Sequence, residues 1–99
     1  MASTKLILPG KILEKEFLIP MGISAYRLAK DIKISVTRVS EILKGKRGIT
    51  VATALRLSRY FGNNAEFWVG IQADYEIKKE RQKLKAQLAE IRPLETTKA

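Results

Sequence analysis

Apolar residues recur at helical spacing through the middle of the chain. In residues 25–32 and 36–43 they lie three or four positions apart, with polar side chains between them. This spacing predicts two short amphipathic helices, separated by only three residues. Two helices this short are stable only if they bury a shared set of apolar side chains between them, here called the wedge. The residues that supply it are Leu28, Ile32, Ile34, Val39 and Ile42.

Small and polar residues stand where such a pair of helices needs them. Ala29 falls at the expected closest approach, where a larger side chain would push the helices apart. Ser24 is the predicted N-cap of the first helix. Ser35 is the predicted N-cap of the second, where its hydroxyl would accept an N–H bond from Thr37 or Arg38. Wedge and caps together predict a helix-turn-helix motif.

The second helix of this motif has two different faces. At 100° per residue, Val39, Ile42 and Leu43 share the buried side. The opposite face carries Thr37, Ser40, Glu41 and Lys44, with Arg38 on its flank. We interpret this outer face as a surface that reads DNA. The alternative is an ordinary solvated helix surface, which would also be polar.

Positive charge is concentrated around the motif. The chain has a net charge of +9, and nine basic but only two acidic side chains fall between Ser24 and Tyr60. A polyanion is the natural partner of such a field. Lys44, Lys46 and Arg47 surround Gly45, which is expected to end the helix in the left-handed conformation. We expect these cations to meet the sugar-phosphate backbone. The alternative is the preference of helix C-termini for positive charge, followed by a solvated loop.

Three further helices complete an all-α architecture of five helices. The first is predicted over Lys11–Leu18 and is ended by residues 19–22. Another spans Val51–Phe61, with Thr50 as cap and Gly62 as terminator. Asn63 or Asn64 opens the last and longest helix, where Asn63 and Glu66 have capping-box spacing. We divide the chain into an arm (1–8), a helix-turn-helix domain (9–76) and a charged C-terminal helix and tail (77–99).

The last helix gathers large apolar side chains over its first turns. These are Phe67, Trp68, Ile71 and Tyr75. A core role, at least for Phe67 and Ile71, is the conservative interpretation. Because aromatic residues are enriched at subunit interfaces, the set also predicts a dimer contact, with Trp68 and Tyr75 expected to face outward. After Ile77 the apolar positions thin out and lysine, glutamate and glutamine dominate.

The composition argues against several classes of function. The chain has neither cysteine nor histidine, which removes thiolate zinc sites and every histidine-based catalytic site. Its ten acidic residues fall on faces predicted to be solvated. We therefore expect no enzymatic activity, no cofactor and no metal. No apolar run has the length of a signal peptide core or a membrane span, so we expect a cytosolic protein.

The order of these features resembles the HigA antitoxins, a branch of the xenobiotic-response-element family that includes Cro and the lambda-type repressors. The resemblance covers about residues 7–75. It rests on Ile7-Leu8-Pro9-Gly10, Leu13-x-x-Glu16-Phe17-Leu18, Leu28-Ala29-Lys30, residues 38–50 (RVSEILKGKRGIT), residues 53–57 (TALRL), Tyr60-Phe61-Gly62 and Ala65-Glu66-Phe67-Trp68.

The resemblance implies a homodimer that binds a palindromic operator and represses its own promoter. It also implies a HigB-type partner toxin, a ribosome-associated endoribonuclease that the antitoxin neutralises. Base contacts carry over to Thr37, Arg38 and Ser40, and backbone contacts to Lys44, Lys46 and Arg47. With the two caps, the predicted DNA-binding set is Ser24, Ser35, Thr37, Arg38, Ser40, Lys44, Lys46 and Arg47.

One position departs from the family pattern. Lys33 stands in the turn where related proteins usually have glycine, so we expect modest backbone strain or a slightly different turn. Two other functions remain open at this point. One is a solitary transcriptional repressor without a toxin. The other is a protein-interaction module whose helix-turn-helix no longer binds DNA.

Overall fold

The computed structural model describes residues 6–95 and is built from helices. Residues 1–5, which belong to the predicted arm, and 96–99 lie outside the described part. In chain order the helices are α1 (9–21), α2 (Ala25–Ile32), α3 (Val36–Leu43), α4 (Val51–Phe61), α5 (Ala65–Lys83) and α6 (Lys85–Ala89). The predicted all-α helix-turn-helix fold is confirmed.

Helix α1 is longer than predicted and includes a wide turn. It starts at Pro9, and its central segment Leu13–Leu18 is a π-helix between two short α-helical segments, Pro9–Ile12 and Ile19–Met21. The N–H of Ile19 donates to the carbonyl of Glu14, five residues back. Pro20, which has no N–H to donate, comes directly after this turn. Residues 19–22 were predicted to end the helix. Residues 19–21 continue it instead, and Gly22 ends it in the left-handed conformation (φ 65°).

Helices α2 and α3 form the predicted wedge. Leu28, Ile32, Val39 and Ile42 are buried, and Ala29 is completely inaccessible at the helix contact. Ile34 is half-buried and packs against this core. The two serine caps are also confirmed, because Ser24 accepts from the N–H of Arg27 and Ser35 from that of Arg38, both at 3.0 Å.

The turn between them keeps its left-handed residue without glycine. Lys33 has φ 64° and ψ 45°, and it is the one non-glycine residue with positive φ among residues 6–95. The N–H groups of Lys33 and Ile34 both return to the carbonyl of Ala29. Lys33 therefore adopts the left-handed conformation that glycine adopts at the least cost.

Helix α5 closes the core through Trp68. The indole is fully buried, with its ring centroid 4.9 Å from that of Phe17 and 6.1 Å from that of Phe61. Its N–H donates to Oδ1 of Asn63 at 2.9 Å. The N-cap of α5 is Asn64, which accepts from the N–H of Phe67. The capping box predicted for Asn63 and Glu66 was therefore wrong, since Asn63 serves the indole instead.

The end of the chain is less regular than one long helix. The predicted helix bends at Leu84 (φ −97°, ψ 11°), which separates α5 from α6. All side chains from 81 to 95 are exposed. Within residues 6–95, no helix combines the length and apolarity that crossing a bilayer requires.

Candidate nucleic-acid interface

The outer face of α3 presents short polar side chains. Thr37 and Arg38 are exposed, whereas Ser40 is half-buried. A shallow concavity of about 400 Å³ joins this face to the loop that follows. Its lining comprises Val36, Thr37, Ser40, Glu41, Lys44 and Lys46. Two of the predicted base-reading residues and two of the predicted phosphate-binding lysines thus line one surface.

The loop after α3 folds back onto the helix. Gly45 takes the predicted left-handed conformation, with φ 79°. The N–H groups of Lys46 and Arg47 both donate to the carbonyl of Glu41, at 2.8 and 3.3 Å. These bonds fix the backbone that carries the two cations. Lys44 and Lys46 point their charges into solvent.

Arg47 forms an ion pair with an acidic side chain of α3. Its Nε lies 2.9 Å from Oε1 of Glu41, with both side chains partly exposed. The guanidinium has five N–H donors, so one bond to a carboxylate leaves others for a phosphate. The predicted backbone contact of Arg47 therefore competes with, or adds to, an internal ion pair.

The two capping serines already use their oxygen atoms inside the protein. Ser24 and Ser35 each accept a backbone N–H of their own helix. Each hydroxyl still has a proton to donate. Their first role is to define where α2 and α3 begin, which sets the direction of the exposed face of α3.

Arg56 supports the turn before α3. Its Nη1 donates to the carbonyl of Ile32 at 2.7 Å and approaches that of Lys33 at 3.4 Å. From the sequence alone, Arg56 contributes only positive charge. No local pattern reveals this contact, because the partners are 23 and 24 residues away in the chain.

The second acidic side chain of the basic region is also engaged. The hydroxyl of Tyr60 donates to Oδ2 of Asp31 at 2.5 Å, and Nε of Arg27 lies 3.3 Å from the same oxygen. The hydrogen bond from Tyr60 lowers the pKa of Asp31, and the same bond raises the pKa of Tyr60. Because Asp31 and Glu41 both have basic neighbours, the surrounding field stays positive.

The predicted dimer contact needs a correction. Trp68 does not face outward, because the core between α1, α4 and α5 has room for the indole and buries it completely. Phe67 is 39% exposed, and Ile71 and Tyr75 are half-buried. The accessible part of the predicted set is therefore Phe67, Ile71 and Tyr75.

Comparisons with known proteins agree with this geometry. A helix-turn-helix family profile matches residues 15–68. Virulence-associated protein I of Dichelobacter nodosus is 51% identical over 70 residues, which are 71% of this chain and 65% of that relative, slightly less than two thirds of its length. Antitoxin HigA-1 of Vibrio cholerae is 32% identical over 85 residues, 86% of this chain and 80% of the relative.

A solved structure resembles nearly the whole chain. It is the Pseudomonas aeruginosa antitoxin HigA with the higBA promoter, which superposes with a TM-score of 0.89 at 38% sequence identity. The superposition covers 92% of this chain and all of that one. Thr37, Ser40, Lys44 and Lys46 thus belong to a fold that is shared with a protein solved together with promoter DNA.

Proposed function

This chain belongs to the helix-turn-helix family, in its HigA-type antitoxin branch, and on that premise we propose that it is a DNA-binding antitoxin. It represses its own promoter and neutralises a HigB-type toxin that cleaves messenger RNA. The family consists of DNA-binding regulators and antitoxins, not of enzymes.

The observation that carries the DNA-binding part is the common surface of α3 and its loop. Thr37 and Ser40 line it together with Lys44 and Lys46. A single helix of this width fits the major groove, where base pairs are distinguished by their donors and acceptors. Lysines at its rim meet the phosphates on either side of the groove.

Thr37, Arg38 and Ser40 read base edges in this proposal. The hydroxyls of Thr37 and Ser40 donate to or accept from either kind of base edge, and Arg38 binds guanine or the adjacent phosphate. Lys44, Lys46 and Arg47 neutralise phosphates and contribute affinity without sequence preference. Ser24 and Ser35 reach phosphates through their hydroxyl protons and the N-terminal N–H groups of their helices.

The chain acts as a homodimer on a palindromic operator. One helix-turn-helix occupies a single half-site, and a second copy one helical turn away doubles the contacts. The similar proteins supply the reason to expect a toxin partner, because the relatives from Vibrio cholerae and Pseudomonas aeruginosa are named antitoxins.

Binding to the DNA upstream of the gene tests the first part of the proposal. Fluorescence anisotropy with this duplex and with a random duplex of equal length should show specific binding. Thr37→Ala, Arg38→Ala or Ser40→Ala should each lose roughly 1–3 kcal/mol of discrimination between the two duplexes. Equal loss on both would move that residue to the phosphate-binding class. No specific binding by the parent would refute the DNA-binding role.

Co-expression with the product of the adjacent gene tests the second part. A stable complex that abolishes messenger RNA cleavage by that product supports the antitoxin role. Specific operator binding without such a partner would instead indicate a solitary repressor. A stable toxin complex without operator binding would indicate an interaction module.

A further inference from the structure

Gln72 is a polar side chain buried beneath the DNA-facing loop. It lies in α5, one turn after Trp68, and is 9% exposed. Its Oε1 accepts the N–H of Ile49 at 2.8 Å, and its Nε2 donates to Oε2 of Glu76 at 2.8 Å. Both ends of the amide are therefore used, and one of them holds the backbone that follows α3.

Gly48 fits closely against the same amide. A Cβ atom at Gly48 would come within 2.7 Å of Nε2 of Gln72, whereas its φ is not in the left-handed region. Glycine thus leaves room for the amide of Gln72, and a Cβ atom here would have to displace the end of that side chain. Gly48 and Ile49 directly follow Lys46 and Arg47, so the amide clamps the loop beside its two cations.

The hydrogen bond from the N–H of Ile49 to Gln72, here called the clamp, lies in a segment that has no helical hydrogen bonds of its own. Residues 48–50 lie between α3 and α4 outside any helix, and Ile49 is buried. A buried N–H in such a segment needs a partner from elsewhere in the fold, and Gln72 provides it. If this bond is lost, the loop is held only from its α3 side, by the bonds of the Lys46 and Arg47 N–H groups to Glu41, and the direction of its two cations is less firmly fixed.

We propose that Gln72 is a positioning residue for the DNA backbone contacts of Lys46 and Arg47, an inference that rests on the proposed function. It connects helix α5, the predicted dimer helix, to the loop beside α3. Through this link α5 affects how strongly Lys46 and Arg47 bind the phosphates of DNA. The bases read by α3 are unaffected.

The test compares operator affinity across a range of salt concentrations for full-length variants. Gln72→Ala removes the side chain that accepts from Ile49. Gly48→Ala keeps glutamine at position 72 but pushes its amide group away. The double replacement Gln72→Glu with Glu76→Gln reverses the donor and acceptor of the pair and keeps an acceptor for Ile49. Gln87→Ala, on the exposed surface of α6, is the matched control.

Gln72→Ala and Gly48→Ala should each weaken operator binding about tenfold and flatten the plot of log K against log salt by one to two units, about one per lost phosphate contact. The ratio of specific to random binding should change much less. Gly48→Ala should have no further effect in the Gln72→Ala background, because the clash is gone. The reversed pair should restore affinity, and the control should equal the parent.

A purely structural role would lower the melting temperature without changing the salt slope of the folded protein. The inference is overturned if either single variant, folded at the assay temperature, binds with the affinity and salt slope of the parent. A parent chain that fails to bind its promoter DNA refutes the proposed function instead, which separates the two failures.

Discussion

Tyr60 and Asp31 join the helix-turn-helix to the helix that follows it. The phenol of Tyr60, at the end of α4, donates to Oδ2 of Asp31 at 2.5 Å in the last turn of α2. Arg27 contacts the same carboxylate from one turn earlier. These contacts fix α2 against α4, as Arg56 does at the neighbouring turn. The position of α3 therefore depends on α4 as well as on the apolar wedge.

Stability should fall in acid partly through this pair. Folding lowers the pKa of Asp31 below its ordinary value of 3.8, mainly because Tyr60 donates to its charged form. The folded state then binds fewer protons than the unfolded state, so the stabilisation is present above that ordinary value and is lost as pH falls through the folded pKa. Melting curves from pH 6 to pH 2 should show a smaller acid loss for Tyr60→Phe than for the parent. Parallel curves would contradict the assignment.

Arg56 should matter more than its neighbour Arg59. Both are exposed cations of α4, but Arg56 donates to the carbonyls of Ile32 and Lys33. Arg56→Gln should lower the free energy of unfolding by about 1 kcal/mol, less than the roughly 1.5–3 kcal/mol typical of bonds from charged groups, because the side chain is exposed. Arg59→Gln removes the same charge and should cost much less in urea denaturation. Equal losses for the two variants would mean that Arg56 affects stability only through its charge and not through its hydrogen bonds.

The motif could be predicted from sequence because its signals are local. Ser24 and Ser35 precede their helices directly, and the spacing of Leu28, Ile32, Val39 and Ile42 is visible within two short stretches. The bonds from Arg56 to Ile32 and from Ile49 to Gln72 join residues more than 20 positions apart, so no short pattern contains them.

Trp68 shows a second limit of the sequence. Helical periodicity identifies the residues that share a face, but a small domain can fill its core with one indole from that set. The indole N–H of Trp68 donates to Asn63 within this core. The sequence pattern instead predicts Asn63 as a helix cap. The π-helical segment of α1 likewise has no spacing signal of its own in the sequence.

Replacing Lys33 by the usual glycine should stabilise the protein. Lys33 has φ 64°, a region that residues with a Cβ atom enter at an energetic cost. Lys33→Gly removes this strain but makes the unfolded chain more flexible, so the net gain should be at most about 1 kcal/mol. Urea denaturation measures it. A loss of stability would show that the lysine side chain contributes more than the strain removes.

Two glycines in helices should respond oppositely to alanine. A Cβ at Gly10 would lie 2.0 Å from the carbonyl oxygen of Ile42, where α1 touches the end of α3. Because the neighbour is backbone, Gly10→Ala should cost about 2 kcal/mol or more. Gly70 lies inside α5 with nothing within 4 Å of a Cβ, so Gly70→Ala should gain about 0.5–1 kcal/mol. Similar effects at both positions would refute the close contact of α1 with α3.

Dimerisation should depend on the accessible face of α5. On the proposed palindromic operator the two copies would lie about 34–36 Å apart, and Phe67, Ile71 and Tyr75 offer apolar surface for their pairing. Phe67→Glu or Tyr75→Glu should give a folded monomer that has lost operator binding although α3 is unchanged. Sedimentation at tens of micromolar measures this, with Leu94→Glu, on an 88% exposed side chain, as the control. Trp68→Glu is unsuitable, because a buried carboxylate would unfold the domain. If both variants stay dimeric and Leu88→Glu does not, the interface lies in the exposed C-terminal segment instead.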